Sequence, residues 1–308
     1  MQALAVIIEA PERLSLRPLA LQPLGPDDLL IEIAWSGISA GTEKLFWTGR
    51  MPAFPGMSYP LVPGYESVGR VTDAGANARG RIGEWVFVPG ARCFRDAHGL
   101  FGGAAQRVVT PAARALPVAE SLGEQGVLVA LAATAFHALA GGEAPDLIVG
   151  HGVLGRLLAR VAIARGASAP TIWEIDPARR DGAGVIHPAT DERRDYRSIY
   201  DVSGHGAGLD GLIGRLGRGG EIVLAGFYQD PLAFAFAPAF QREARLRVAA
   251  EWQPGDLAEV LAMIAEGRLD LSGLISDVRP AEEAGEAYPY ALGDSRCLKM
   301  ALDWRGWA

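Results

Sequence analysis

The feature that most restricts this chain is a short glycine-rich run set between two unlike segments. A strand-like Asp146-Leu-Ile-Val leads into Gly150-His-Gly-Val-Leu-Gly155, and a helical Arg156-Leu-Leu-Ala-Arg-Val-Ala-Ile-Ala-Arg follows, with Gly166 placed to end it. Each glycine has its own reason. Gly150 permits the tight turn, Gly152 lets backbone approach a pyrophosphate, and Gly155 lets the helix pack on the strand. Val153 and Leu154, in the first helical turn, offer unpaired N–H groups and the positive end of the helix dipole. The next strand, Thr171-Ile-Trp-Glu-Ile-Asp, puts Glu174 nineteen residues past Gly155, close to the spacing of about 20 expected for a ribose-binding acid. Asp176 is the second choice. An acid here accepts hydrogen bonds from the ribose hydroxyls and repels a 2′-phosphate, so NAD is favoured over NADP; Arg179 and Arg180 pull the other way. His151, inside the loop, reads as incidental.

The rest of the chain supports a two-part organisation. Residues 1–120 are short β-like runs at 4–8, 29–34, 67–71, 84–88 and 105–109, cut by Gly and Pro. Beyond residue 120, strand-like runs at 147–149, 171–175, 198–202, 222–224 and 246–249 alternate with Ala- and Leu-rich helical stretches, which is the pattern of βαβ units. Near residue 271 short segments return, and Cys297-Leu-Lys-Met-Ala-Leu-Asp303 reads as a closing strand. The expected fold is α/β: a doubly wound parallel sheet over residues 121–269 inserted into a split β-rich domain of residues 1–120 and 270–308.

Several classes of function are excluded. A net charge of −7, from 29 basic and 36 acidic residues with no basic block, argues against nucleic acid as a partner. No apolar run reaches the 18 or more residues of a transmembrane segment. The N-terminal Met1-Gln-Ala-Leu-Ala-Val-Ile-Ile-Glu has no basic stretch before its apolar residues and reads as a strand rather than a signal peptide. Two cysteines and five histidines cannot supply a disulfide framework or a four-cysteine zinc site, and they fit a reducing cytoplasm.

Five segments carry a resemblance to the medium-chain dehydrogenase/reductase family. They are Leu30-Ile-Glu-Ile-Ala-Trp-Ser-Gly-Ile-Ser39, Pro63-Gly-Tyr-Glu-Ser-Val-Gly-Arg-Val71, Ala132-Ala-Thr-Ala-Phe-His-Ala-Leu139, Tyr200-Asp-Val-Ser-Gly204 and Gly219-Gly-Glu-Ile-Val-Leu-Ala-Gly-Phe227. The resemblance spans nearly the whole chain. It implies a Rossmann domain inserted into a GroES-like catalytic domain, with Thr134, Ser203 and Gly226 joining the glycine loop, Glu174 and Arg179 at the cofactor. It also exposes a departure: where zinc-dependent members carry Cys, His and a third Cys or Glu, this chain has Ser39, Tyr65 and Ala130. The cysteine-rich structural-zinc lobe is absent as well, so a member without metal is expected.

Within the family, the run from Ser39-Ala-Gly-Thr-Glu-Lys-Leu-Phe-Trp to Pro63-Gly-Tyr-Glu66, with Glu251-Trp-Gln-Pro-Gly-Asp-Leu257, is similar to members that act on a bacteriochlorophyllide, a magnesium tetrapyrrole. That resemblance implies NAD-dependent oxidation of the pigment's C3 1-hydroxyethyl group to acetyl in bacteriochlorophyll biosynthesis. The N-terminus and cysteine content point to the cytoplasm, with peripheral contact with the photosynthetic membrane and a homodimer left open. Without zinc, side chains must take the alcohol proton: Tyr65 with Glu43 is the favoured pair, Thr42 a relay hydroxyl, and Lys44 or Tyr65 a stabiliser of alkoxide charge. Glu43 and Lys44 also read as a surface ion pair, and Tyr65 as a filler of the space the metal leaves. Glu66 reads as structural and His137 as a satisfied core histidine. Ser39, Phe46, Trp47, Phe54, Tyr59 and Trp252 are the candidates for contact with a flat macrocycle. Two other readings stay open, a zinc-free enone or quinone reductase of the same family and a nonenzymatic tetrapyrrole- or NAD-binding protein.

Overall fold

A hairpin of β1 (Gln2–Ala10) and β2 (Arg13–Ala20) opens the chain, its turn holding Glu12 at a φ of 59°. The computed structural model describes residues 1–53, 55–98 and 101–307 and divides into two units, Met1–Ala130 with Ser272–Ala308, and Leu131–Leu271. Strand β2 has no counterpart among the expected runs. Its residues alternate Leu with Arg and Ser and include Pro18, which suits an edge strand but blurs the β pattern.

In the first unit β3 (Asp28–Ile38) is the spine. It pairs antiparallel with β4 (Ser67–Ala74) and, along its first residues, with a later strand. Helix α1 (Thr42–Trp47) follows β3 directly. Strands β5 (Trp85–Val88), β6 (Arg107–Pro111) and β7 (Leu116–Pro117) complete this stretch, β6 being the second partner of β3. Helix α2 (Val129–Ala138) begins at the boundary of the units.

The second unit is a six-stranded parallel sheet. Its strands are β8 (Leu147–Val149), β9 (Thr171–Trp173), β10 (Val185–Ile186), β11 (Tyr196–Asp201), β12 (Leu216–Leu224) and β13 (Arg245–Val248). They lie in the order β10-β9-β8-β11-β12-β13, which is the 3-2-1-4-5-6 order of a dinucleotide-binding Rossmann sheet. Helices α3 (Val153–Ala164), α4 (Leu209–Ile213) and α5 (Phe236–Arg242) supply crossovers, and α6 (Pro254–Ala265) follows β13. The expected alternation fails on either side of β10, where only the 3-10 turns Pro177–Arg179 and Pro188–Thr190 stand. Prolines open both turns, and Gly182 and Gly184 adopt φ of 101° and 79°, so no helix can propagate there.

The chain then returns to the first unit through β14 (Asp277–Pro280), α7 (Ala284–Gly293) and β15 (Met300–Asp303). Strand β15 runs antiparallel to β3 with Met300 opposite Ile38 and Ala301 opposite Gly37, so Lys299 comes alongside the end of β3. Trp304 anchors this return: it is 2% exposed and its Nε1–H donates to Ser36 Oγ at 2.9 Å. Burying an indole of this size contributes on the order of 4 kcal/mol. Among the described residues no helix is long and apolar enough to cross a membrane.

Candidate active site and glycine loop

Strand β3 ends at Ile38 and α1 starts four residues later, so the Glu43 N–H donates to the Ser39 carbonyl at 2.9 Å and both residues turn inward. Tyr65 and Glu66 immediately precede β4, whose first residue lies opposite Ser36 of β3. This register brings the Ser39 Oγ and the Tyr65 hydroxyl within 2.6 Å of each other, both buried. The Thr42 side chain stands near enough to the same phenol to favour its ionised form. Burial, and then the nearby carboxyl of Glu66, hold the Tyr65 phenol far above its ordinary proton affinity. Tyr65 is therefore a neutral hydroxyl with a proton to give, not a standing phenolate.

Behind these hydroxyls sits a set of charged groups. Lys299 Nζ forms an ion pair with Glu66 Oε2 and donates to the Ile38 carbonyl at 3.0 Å. Gly37 makes room for that pair, since a Cβ there would stand 2.4 Å from Glu66 Oε2. Glu43 is completely buried. Desolvation, followed by the charge of Glu66, pushes its carboxyl up to about 8, while the Tyr288 hydroxyl and Lys299 act in the opposite direction. Tyr288 faces Glu43 closely enough to favour its ionised form, yet neither Glu43 oxygen nor the Tyr288 hydroxyl meets strict hydrogen-bond geometry with any described group. Among the described residues no three His, Cys, Asp or Glu side chains converge as a metal-holding set.

The glycine loop of the second unit forms a separate site. Gly150 ends β8 at a φ of 104°, and a Cβ on it would lie 3.4 Å from Ser203 Cα. A Cβ on Gly155 would fall 1.9 Å from the Gly150 carbonyl oxygen, so only glycine lets α3 start so close to the strand. Gly152 caps α3 with no side-chain acceptor, leaving the first-turn N–H groups of Val153 and Leu154 available to an anion. Gly226 approaches Gly204, so Gly150, Ser203 and Gly226 meet at the adjoining ends of β8, β11 and β12, where the strand order reverses. Glu174, just past β9, accepts the His151 N–H on Oε2 and the Asp176 N–H on Oε1, each at 2.9 Å. Each carboxylate oxygen keeps a lone pair for a ribose hydroxyl. A space that a Cβ would fill, an uncapped helix and a buried acid one strand on fit a dinucleotide.

His151 is more than incidental. Its Nδ1–H donates to the Arg179 carbonyl at 2.7 Å, tying the loop to the turn after β9, and burial lowers its proton affinity. Arg156 pairs with Asp181 across the same turn. The Arg179 guanidinium reaches to within 3.8 Å of where a Gly152 Cβ would be. Asp176, the alternative acid, accepts from the Ala178 N–H at 2.9 Å and caps the 3-10 turn.

Comparisons with known proteins agree with these features. Residues 25–120 match the family described as alcohol dehydrogenase GroES-like domain. The chain is 56% identical over 318 residues to the 2-desacetyl-2-hydroxyethyl bacteriochlorophyllide A dehydrogenase of Cereibacter sphaeroides, covering 100% of both, and 55% identical over 311 residues to the Rhodobacter capsulatus protein of the same name, covering 99% of both. The chain belongs to the medium-chain dehydrogenase family. Among solved structures, acetophenone reductase from Geotrichum candidum in complex with NAD superposes with a TM-score of 0.83 at 18% identity, over 98% of this chain and 97% of that one. At that identity the likeness concerns the fold, and the expected Rossmann and GroES-like architecture is the one observed.

Set on this family scaffold, the expected site residues do not all converge. Ser39, Thr42, Glu43 and Tyr65 do. Lys44 does not: it is exposed while its neighbour Glu43 is buried, so the two form no surface pair and Lys44 stands away from the hydroxyls. Ala130 is buried and offers no ligand atom. The aromatic wall is also corrected. Phe46 is fully buried in a small core with Ile8 and Leu61, Tyr59 packs on that core and donates its hydroxyl to the Phe46 carbonyl at 2.5 Å, and Trp47 packs against the larger core. The buried side chains of this six-residue helix are Glu43, Leu45 and Phe46, and Phe46 is spent on the core. Trp252 belongs to the second unit and is half-buried, and Phe54 lies outside the described residues. Thr134 is half-buried on α2, and His137 is satisfied by Asp256 Oδ2 at 2.9 Å.

Three residues near Tyr65 and Glu43 were not anticipated. Phe101, at a φ of 71°, presents its ring edge-on to Tyr65 with centroids 5.2 Å apart. Tyr288 and Lys299 come from the returning segment, more than 200 residues from Glu66 in the case of Lys299. A lysine inside an apolar closing strand was the signal available for the last of these.

Proposed function

We propose that this chain oxidises the C3 1-hydroxyethyl group of a bacteriochlorophyllide to acetyl, with NAD as hydride acceptor and without zinc, in bacteriochlorophyll a biosynthesis. The observation that carries this reading is the buried 2.6 Å contact of Ser39 with Tyr65, at positions where the sequence resemblance implies the ligands of zinc-dependent members, in a chain 56% identical to a protein named for that dehydrogenation. On this reading residues 1–120 and 270–308 form the catalytic domain, and residues 121–269 hold the cofactor.

Gly150, Gly152 and Gly155 leave space for the pyrophosphate, Val153 and Leu154 offer it N–H groups, and Thr134, Ser203 and Gly226 are assigned to the nicotinamide half. Glu174 takes the ribose hydroxyls. Because its two oxygens already accept backbone N–H groups, its negative charge is fixed in place and opposes a 2′-phosphate, which supports NAD over NADP; Arg179, close to Gly152, is then a pyrophosphate contact. NAD when bound supplies the electrophilic carbon that takes the hydride.

Proton handling falls to the first unit. Neutral Tyr65 accepts a hydrogen bond from the alcohol hydroxyl, which places that hydroxyl and draws its proton away as the O–H bond weakens. Ser39 orients that phenol, Thr42 relays, and Glu43 supplies the carboxylate. Phe101, edge-on to Tyr65, and half-buried Trp47 are the candidate aromatic surfaces for the pigment in this unit, and Trp252 is kept as a further candidate.

The test is direct. Metal-stripped protein given NAD and 3-hydroxyethyl bacteriochlorophyllide is expected to produce the acetyl pigment, seen as a shift of the long-wavelength absorption band. No shift at saturating cofactor, or activity lost on chelation and restored by zinc, overturns the reading.

A further inference from the structure

Ser39, Glu43, Tyr65, Glu66, Tyr288 and Lys299 are each at most 7% exposed. Two carboxyls and one ammonium thus share a buried space. Lys299 is committed to Glu66 and to the Ile38 carbonyl, which leaves Glu43 without a cation of its own and with both oxygens outside hydrogen-bond geometry. An ionised carboxylate so placed is costly, whereas a carboxylic acid is not. Two carboxyls that cannot both ionise cheaply share a proton between them.

We propose that Glu43 is the store for the proton that leaves the substrate alcohol, reached through the Tyr65 and Thr42 hydroxyls, with Glu66, Lys299 and Tyr288 as positioning residues that set how tightly it holds that proton. The inference rests on the proposed alcohol oxidation and adds where the proton goes. In the forward direction Glu43 begins ionised. The carbinol carbon loses a hydride to NAD, and the hydroxyl proton moves to the Tyr65 oxygen as the Tyr65 proton moves to Thr42 and the Thr42 proton to the Glu43 carboxylate. The alcohol becomes a ketone, NAD becomes NADH, and Glu43 ends as the acid, which later releases its proton to water.

The groups facing Glu43 support this assignment from every side. Glu66 and Tyr65 face it from the segment before β4, Tyr288 from α7, and Lys299 from beside β15. Burial and Glu66 together bring its carboxyl up to about 8, a strength suited to taking a proton from an alcohol and returning it to water near neutral pH. Glu66 and Tyr288 act on it with opposite signs. That opposition makes the test specific.

The first readout needs no substrate. Infrared difference spectra of the whole protein between pH 6 and pH 9.5 are expected to show the carbonyl band of one buried carboxylic acid titrating near pH 8, and Glu43→Gln abolishes that band. Glu66→Gln removes the repelling charge and leaves Lys299 free to favour the ion, so the midpoint falls by about one pH unit. Tyr288→Phe removes the hydroxyl that favours the ion, so its midpoint rises. The midpoint of kcat/KM for pigment oxidation is expected to follow in each variant. Absence of the band in the wild type, midpoints that coincide in all forms, or displacements of the same sign overturn the proton store. Tyr288→Phe is close to isosteric and carries the test alone should Glu66→Gln not fold. A protein that shows these titrations but leaves the hydroxyethyl pigment unchanged counts against the proposed substrate and not against the store.

Discussion

Glu174 Oε2 accepts the backbone N–H of His151 at 2.9 Å, so the acid at the end of one strand and the glycine loop at the end of the next are fastened directly to each other. The positions proposed for ribose and for phosphate are therefore set by one contact. His151 closes the ring from the other side by donating to the Arg179 carbonyl at 2.7 Å.

Replacing Glu174 should accordingly cost both affinity and order. Glu174→Ala is expected to weaken NAD about 10- to 100-fold, the loss appropriate to hydrogen bonds on a charged group, and to weaken NADP less because a repelling charge disappears. Titration calorimetry with both cofactors checks this. Equal losses would move ribose recognition to Asp176 or elsewhere.

Tyr65→Phe deletes the hydroxyl that meets Ser39 and, in the proposed reaction, the alcohol. The rate of pigment oxidation should drop about 100-fold with NAD affinity unchanged, since the phenol serves the proton and not the dinucleotide. A variant as fast as wild type in single turnovers would remove Tyr65 from the chemistry.

Stability should depend on pH through Glu43. Its folded carboxyl, at about 8 from burial and Glu66, binds a proton that the unfolded chain has already released above its ordinary value of 4.5. The stabilisation this proton provides is complete below pH 4.5 and is lost as pH rises from 4.5 toward 8. Wild-type unfolding free energy should fall across that window by up to about 1.4 kcal/mol per pH unit from this group, and Glu43→Gln should flatten the slope. Urea denaturation at several pH values measures it, and parallel slopes in the two proteins would refute it.

Gly37→Ala puts a methyl group 2.4 Å from Glu66 Oε2 and 3.1 Å from Lys299 Cε. The ion pair must part or the strand must shift, at about 2 to 4 kcal/mol. Equilibrium denaturation of the variant gives the figure, and a loss below about 0.5 kcal/mol would show that the site tolerates the extra volume.

Much of the second unit was legible because its signals are local. Gly150, Gly152, Gly155 and Glu174 lie within 25 residues, and each residue type follows from what a turn, a phosphate and a ribose require. Strand β10 was missed because two residues between glycines and prolines carry no periodicity. In the first unit Thr42 and Glu43 could be picked out by their place in one long loop and Ser39 and Tyr65 through the family resemblance, whereas Lys44 could not be told from Glu43 until a six-residue helix showed which of the two turned inward. Phe46 misled for the same reason: an aromatic in a loop-like run reads equally as a binding surface and as core. Lys299 and Tyr288 were out of reach because their relation to Glu66 and Glu43 exists only after β15 has found β3.

The Lys299–Glu66 pair spans 233 residues of chain, with the whole parallel sheet inserted between its members. Contacts of such range form late, because the entropy of closing a long loop must be met before they repay it. A nascent or partly unfolded chain therefore holds Glu66 without its counterion and cannot assemble the charge balance that Glu43 requires. On the proposed chemistry, catalytic competence becomes a checkpoint on topology: only molecules whose discontinuous domain has been stitched together again possess the electrostatics of the site.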